Sequence, residues 1–253
     1  MPLTVHQFPC LSDNYGFLIR DEASGKTACI DTPDAKAILD ELKGLGWGLD
    51  LILNTHWHPD HAGGNAEIQA ATGCQIVGPK EVTRIAPLDR EVGGGDTVTL
   101  GETTFEVIAS GGHTLEHIAY HDPASGKAFV GDTLFALGCG RLFEGTPEQM
   151  WESLQRLAAL PDETAVYCAH EYTASNARFA LSVDDSADLK ARTDQIFAAR
   201  ERGEWTVPTT IALEKSTNPF LRAPLLADRV GASGQADHLA FAAVRAAKDS
   251  FKG

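Results

Sequence analysis

Seven consecutive residues constrain this chain more than any others. Thr55-His56-Trp57-His58-Pro59-Asp60-His61 sets three imidazoles and a carboxylate within six residues, directly after the apolar run Leu51 to Thr55. His56 and His58 are two apart, so in an extended segment their side chains point the same way and hold one cation. Asp60 and His61 follow where the chain turns, and face a second cation nearby. A lone histidine is usually an ordinary polar residue. Three of them with an aspartate behind an apolar strand make a metal site. A fold that presents such a segment ends a buried strand at its functional edge, which points to a layered α/β architecture.

Three further residues obey the same rule of lying just past an expected strand. His113 follows Thr104 to Ala109 through Ser110-Gly111-Gly112, Asp132 follows Ala128 to Gly131, and His170 follows Thr164 to Cys168. Strand ends gather on one edge of an α/β sheet, where sites are built. The candidates then number seven: His56, His58, Asp60, His61, His113, Asp132 and His170. A tetrahedral zinc uses four ligands, so seven imply two metals. Asp132 is the natural bridge, because a carboxylate has two oxygens. The other histidines read differently. His6 and His238 stand alone, and His121 precedes the turn signal Asp122-Pro123 and reads as surface. His117, four residues beyond His113, is a possible orienting partner for a ligand. Gly93-Gly94-Gly95-Asp96 precedes a strand rather than a helix and is a turn, not a phosphate loop.

Apolar runs at Thr27 to Asp31 and Gln75 to Gly78 complete the expected strands. Helices are expected over Asp34 to Leu45 and Glu148 to Leu160; the second opens on the capping box Thr146-Pro147-Glu148-Gln149. Beyond residue 173 helical composition takes over, with helices expected at Ser186 to Arg202, stopped by Gly203, and at Ala236 to Phe251. The organisation expected is a mixed α/β domain over 1–173 and a small helical domain over 174–253. With 35 acidic against 21 basic residues the net charge is −14, which repels a phosphate backbone and disfavours nucleic acid. No apolar run approaches the roughly 18 residues of a membrane helix. The N-terminal Met1-Pro2-Leu3-Thr4-Val5-His6 lacks the features of a signal peptide, and five cysteines without metal or redox spacing suit reduced thiols. A cytoplasmic protein free of membrane is the expectation, and a monomer the simplest state.

Thr55-His56-x-His58-x-Asp60-His61 followed by Gly112-His113-Thr114, Gly131-Asp132-Thr133 and a late His170 resembles the metallo-β-lactamase superfamily. That resemblance implies a four-layer αβ/βα sandwich with two metals between its sheets. Narrower features are similar to the glyoxalase II (hydroxyacylglutathione hydrolase) family: Gly131-Asp132-Thr133-Leu134-Phe135, the segment Gly138 to Thr146, Cys168-Ala169-His170-Glu171-Tyr172-Thr173, Thr206-Val207-Pro208 and Asn218-Pro219-Phe220-Leu221-Arg222. The likeness runs from Asp13-Asn14-Tyr15 over essentially the whole chain. It implies hydrolysis of S-D-lactoylglutathione to glutathione and D-lactate, the second step of methylglyoxal detoxification. It also implies one metal on His56, His58 and His113, another on Asp60, His61 and His170, and Asp132 between them. Zinc stands first among the metals, with iron or manganese as alternatives. Glutathione contacts are implied for Arg141, Phe143, Tyr172 and Arg222. Some relatives carry Lys at the Arg141 position and Tyr at the Phe143 position. Mammalian forms carry a further lysine shortly after the Arg222 position, where this chain has Ala223-Pro224.

The residues also suggest a mechanism. Two cations lower the pKa of a bridging water toward neutrality, so a bridging hydroxide is the expected nucleophile. One cation polarises the thioester carbonyl. Asp60 and Asp132 are the catalytic carboxylates of this scheme, Asp60 as a ligand rather than a free base because it lies inside the histidine cluster. A thiolate leaves readily, since a thiol titrates near about 8.5, so no dedicated general acid is required. A persulfide dioxygenase with a single iron, a metal-dependent nuclease and a non-catalytic metal scaffold are the rivals. The full second-metal set and the helical glutathione domain oppose the first, and the −14 charge opposes the second. A water-bearing dinuclear arrangement serves no purpose in the third.

Overall fold

The first two strands form a hairpin absent from the apolar runs read in the sequence: β1 (Leu3–Cys10) pairs antiparallel with β2 (Asn14–Asp21), Leu3 opposite Asp21 and Cys10 opposite Asn14. β1 is the sheet edge, the kind of strand in which a proline such as Pro9 is accommodated. The computed structural model describes residues 3–253; Met1 and Pro2, which open the segment read for a leader, lie outside the described residues. Contacts divide the chain into two units, one of 1–109 with 116–131 and one of 110–115 with 132–253.

In the first unit β3 (Thr27–Ile30) runs antiparallel to β2, and β4 (Leu51–Leu53), β5 (Gln75–Gly78) and β6 (Arg90–Glu91) continue in parallel, in the order β1-β2-β3-β4-β5-β6. The parallel crossover from β3 to β4 is α1 (Ala35–Leu45). Asp34 caps it by accepting from Ala37 N at 3.0 Å, and Gly46 ends it at φ 66°, a left-handed conformation that costs glycine little. Its buried Ile38 and Leu42 pack with Cys29, Ile52, Ile68 and Ile76. The helices α2 (Pro59–Ala62) and α3 (Asn65–Thr72) connect β4 to β5. Because β3 and β4 are parallel, their carboxyl ends lie side by side, and these ends deliver Asp31 and Thr55.

A second set of strands in this unit is antiparallel: β7 (Thr97–Leu100), β8 (Thr103–Ala109), β9 (Ile118–Asp122) and β10 (Lys127–Gly131). β9 corrects the reading of His121 as a surface residue. His121 is 4% exposed in a fully buried strand, opposite Glu106, whose Oε2 is 3.4 Å from its Nδ1. The turn signal Asp122-Pro123 marks the end of that strand, not exposure.

The second unit holds the hairpin β11 (Leu134–Phe135) and β12 (Gly138–Cys139), the helix α4 (Pro147–Ala158) capped by Thr146, and the pair β13 (Ala165–Cys168) and β14 (Thr209–Thr210). Its remaining helices are α5 (Thr173–Val183), α6 (Ala187–Glu201), α7 (Ile211–Thr217) and α8 (Asp237–Ser250). Glu214 of α7, fully buried, accepts from Leu137 N, Asn218 Nδ2 and the Thr209 hydroxyl and pairs with Arg192 at 2.5 Å. A buried carboxylate survives there because all of these donors converge on it. Among the described residues no helix is long and apolar enough to cross a membrane.

Candidate active site

In the first unit the donors converge because the end of β3 orders the loop after β4. Asp31, at φ 55°, accepts from the backbone N and hydroxyl of Thr55 at 2.7 and 2.8 Å and contacts His61 Nδ1 at 2.9 Å. That contact turns His61 Nε2 toward Asp60, 3.5 Å from its Oδ2. Thr55 Oγ1 lies 3.0 Å from His56 Nδ1, while His56 Nε2 and His58 Nδ1 approach to 3.0 Å. Ring nitrogens this close share either a proton or a cation. His58 precedes Pro59, the first residue of α2, so Asp60 and His61 fall within one helical turn. The ligand atoms of His56 and His58, of His56 and His61, and of Asp60 and His61 each lie within 4.8 Å of one another. His117 stacks on the His56 ring, with ring centroids 4.8 Å apart.

In the second unit Asp132 sits between two imidazoles. His113 Nε2 is 3.3 Å from one carboxylate oxygen and His170 Nε2 is 3.3 Å from the other. His113 Nδ1 contacts the Arg141 carbonyl at 2.9 Å, which directs Nε2 toward the carboxylate. All three residues are buried. The Tyr172 ring stacks parallel on His170 at 4.7 Å, and Phe135 meets His170 edge-on. A carboxylate with an imidazole at each oxygen has the form of a bridging ligand. Buried nitrogen and carboxylate donors with anchored imidazoles suit zinc, iron or manganese.

Asp132 and His113 open onto a cavity of about 520 Å³ in the same unit, lined also by Arg141, Phe143, Tyr172, Arg245 and Lys248. Its lining holds three cations, Arg141, Arg245 and Lys248, against the carboxylates of Asp132 and Asp249, a local excess of positive charge in a chain of net charge −14. Arg245 donates to the Cys139 carbonyl at 3.0 Å and pairs with Asp249 at 2.8 Å. Lys248 donates to Ser175 and lies over Phe179. Burial, and then Arg245, Arg178 and Arg141, push its ammonium down to about 8. Phe143 is 61% exposed and meets the His113 ring edge-on.

Known proteins supply the family. A family model described as "Hydroxyacylglutathione hydrolase C-terminus" matches residues 171–251, and one described as "Metallo-beta-lactamase superfamily" matches 18–170. A hydroxyacylglutathione hydrolase of Erythrobacter litoralis is 58% identical over 252 residues, covering 98% of this chain and 100% of the relative. One of Maricaulis maris is 57% identical, covering 98% and 99%. The chain belongs to the hydroxyacylglutathione hydrolase family. Its fold is the metallo-β-lactamase fold. The crystal structure of ETHE1 from Myxococcus xanthus is similar at TM-score 0.66 and 27% identity, covering 97% of this chain and 98% of that one. That of TTHA1623 in a di-iron-bound form is similar at TM-score 0.64 and 25% identity, covering 86% and 100%.

In this member of the hydroxyacylglutathione hydrolase family all seven candidate donors fall within residues 18–170, and the two His/Asp clusters with the superfamily match support a dinuclear metal site. Arg141, Phe143 and Tyr172 line the cavity, but Arg222 is not among its lining residues. The Arg222 guanidinium donates to the Ser216 carbonyl and pairs with buried Asp184 at 3.2 Å. Arg245 and Lys248, three apart on α8, also supply cations to the cavity. Sequence reasoning missed both, although two cations spaced to share a helix face were a usable signal. It also missed Asp31, which satisfies the strand-end rule that found Asp132.

Proposed function

We propose that this chain hydrolyses S-D-lactoylglutathione to glutathione and D-lactate, with His56, His58 and His113 holding one divalent transition metal and Asp60, His61 and His170 another. Asp132 bridges them. The observation that carries the reading is the cavity that joins the carboxylate of Asp132 and the imidazole of His113 to Arg141, Arg245 and Lys248. An acylated glutathione has the matching form, a reactive thioester on a tripeptide bearing carboxylates. The relatives named hydroxyacylglutathione hydrolase support the same substrate class.

When bound, two such metals acidify water and polarise an acyl carbonyl. The chain's own residues do the rest. Asp31 holds His61 and Thr55 in place, and the Arg141 carbonyl holds His113. Arg141, Arg245 and Lys248 bind the tripeptide carboxylates by charge-assisted hydrogen bonds, and Tyr172 and Phe143 flank its backbone. The departing thiolate needs no proton donor, because a thiol titrates near about 8.5. We assign metal chemistry to residues 1–173 and further glutathione contacts to 174–253, in a monomer. Zinc is the first choice of metal. Five cysteines without a disulfide fit a reducing cytoplasm.

The test pairs thiol release from S-D-lactoylglutathione with elemental analysis. Two metals per chain and rapid thiol release are expected, with no oxygen consumed on glutathione persulfide. A fully active protein with one metal that reconstitution leaves unchanged refutes the dinuclear reading, and oxygen consumption without thiol release refutes the hydrolase.

A further inference from the structure

Between the metal ligand His170 and the cavity residue Tyr172 lies Glu171, whose carboxylate has no place in the scheme above. His170 and Tyr172 stack with parallel rings, whereas the side chain between them makes its contacts with another part of the unit. Glu171 accepts from Thr206 N at 3.0 Å and from the Thr206 hydroxyl at 2.8 and 3.0 Å. It also accepts from Thr173 N at 3.3 Å, in the first turn of α5, and pairs with Arg200 of α6 at 3.3 Å. The Thr206 hydroxyl lies 2.6 Å from that of Thr173. The side chain is only 10% exposed, so these partners stand in place of water.

We infer that Glu171 is a positioning residue: its carboxylate ties the His170–Tyr172 segment to Thr206 and α6, and so sets where the metal-ligating imidazole and the substrate-facing phenol point. The chemistry needs a carboxylate. Two oxygens accept from two backbone N–H groups and a hydroxyl while the charge offsets Arg200. An amide of the same shape turns one of those oxygens into a donor facing other donors. The inference rests on the proposed role of His170 as a ligand and Tyr172 as a substrate contact.

The experiment compares wild type, Glu171→Gln and Glu171→Ala, all metal-loaded, in thioester kinetics and in metal release to a chelator well below each variant's Tm. Partners that orient metal ligands are worth about ten- to a hundredfold in affinity or activity. For Glu171→Ala, a fall in kcat/KM of that order is expected, with KM raised and faster release of metal. Glu171→Gln should fall between it and wild type. A lowered Tm with unchanged KM and unchanged metal release would show a merely structural role and overturn the inference. Should Glu171→Ala fail to fold, Thr206→Val removes the hydroxyl donor alone, and a smaller shift in the same two readouts is expected; none at all overturns the inference. A wild type inactive on the thioester sinks the functional reading instead, while metal release in the variants still decides Glu171.

Discussion

Replacing Lys248 with glutamine removes one of the three cations of the cavity while keeping a side chain of similar reach. The ammonium titrates at about 8, pushed down by burial and then by Arg245, Arg178 and Arg141. At pH 7 it is therefore about nine-tenths charged, and at pH 9 about one-tenth. A bound carboxylate favours the charged form, so the pKa rises in the complex. Affinity should be level below about pH 8 and then fall by up to about tenfold per pH unit, until the pH passes the raised value in the complex. A charge-assisted hydrogen bond contributes about 1.5–3 kcal/mol, which makes KM of Lys248→Gln about ten- to a hundredfold higher at neutral pH. Because the contact holds ground and transition states alike, kcat should change little. Lys248→Arg keeps its charge at every accessible pH, so its KM should lose the rise above pH 8. The assay is steady-state thiol release from S-D-lactoylglutathione from about pH 7 to about pH 9.5. A wild-type KM constant over that range, together with an unchanged KM in Lys248→Gln, would refute the reasoning and remove Lys248 from the substrate site.

Four other substitutions separate the parts of the site. Asp132→Ala should perturb both metals and lower kcat by orders of magnitude with KM less affected; near-normal turnover with two metals retained, by elemental analysis, removes Asp132 from the mechanism. Arg245→Ala should raise KM, whereas Arg222→Ala should leave KM unchanged. Loss of the Arg222 pair with buried Asp184 should instead cost about 3 kcal/mol, seen as a Tm lowered by several degrees in thermal melts. A raised KM in Arg222→Ala with unchanged Tm reverses that assignment. Gly131→Ala forces a side chain into φ +49°, with its Cβ 2.6 Å from Thr55 Oγ1 and 2.7 Å from His117 Nε2. It should lose about 1–2 kcal/mol from the backbone alone, with kcat falling as Thr55 is displaced; a wild-type melt and kcat would show that the turn has room.

The sequence by itself determined the metal chemistry. Histidines and aspartates at strand ends are chemically distinctive, and the strands that carry them are short apolar runs whose pattern is local. The same locality reached α1 through its helical spacing, α4 through Thr146 as its cap, and the end of α6 through Gly203, a left-handed stop. It did not reach the β1–β2 hairpin, whose edge strand mixes Pro9, His6 and Gln7 among apolar residues and needs only one buried face. Nor did it reveal that β9 is buried throughout, because strand burial depends on which neighbours cover both faces.

Only the tertiary structure decided which cations line the cavity. Arg222 sits in a motif of the family, yet its guanidinium is taken up by Asp184 and Ser216. Arg245 and Lys248 lie far along the chain from Arg141, and α8 places them beside it in one cavity. A charged group's role depends on what faces it across space, since Coulomb energy follows distance and burial rather than sequence separation. The identity of a ligand is written in its own side chain. The partner of a cation is written in the fold.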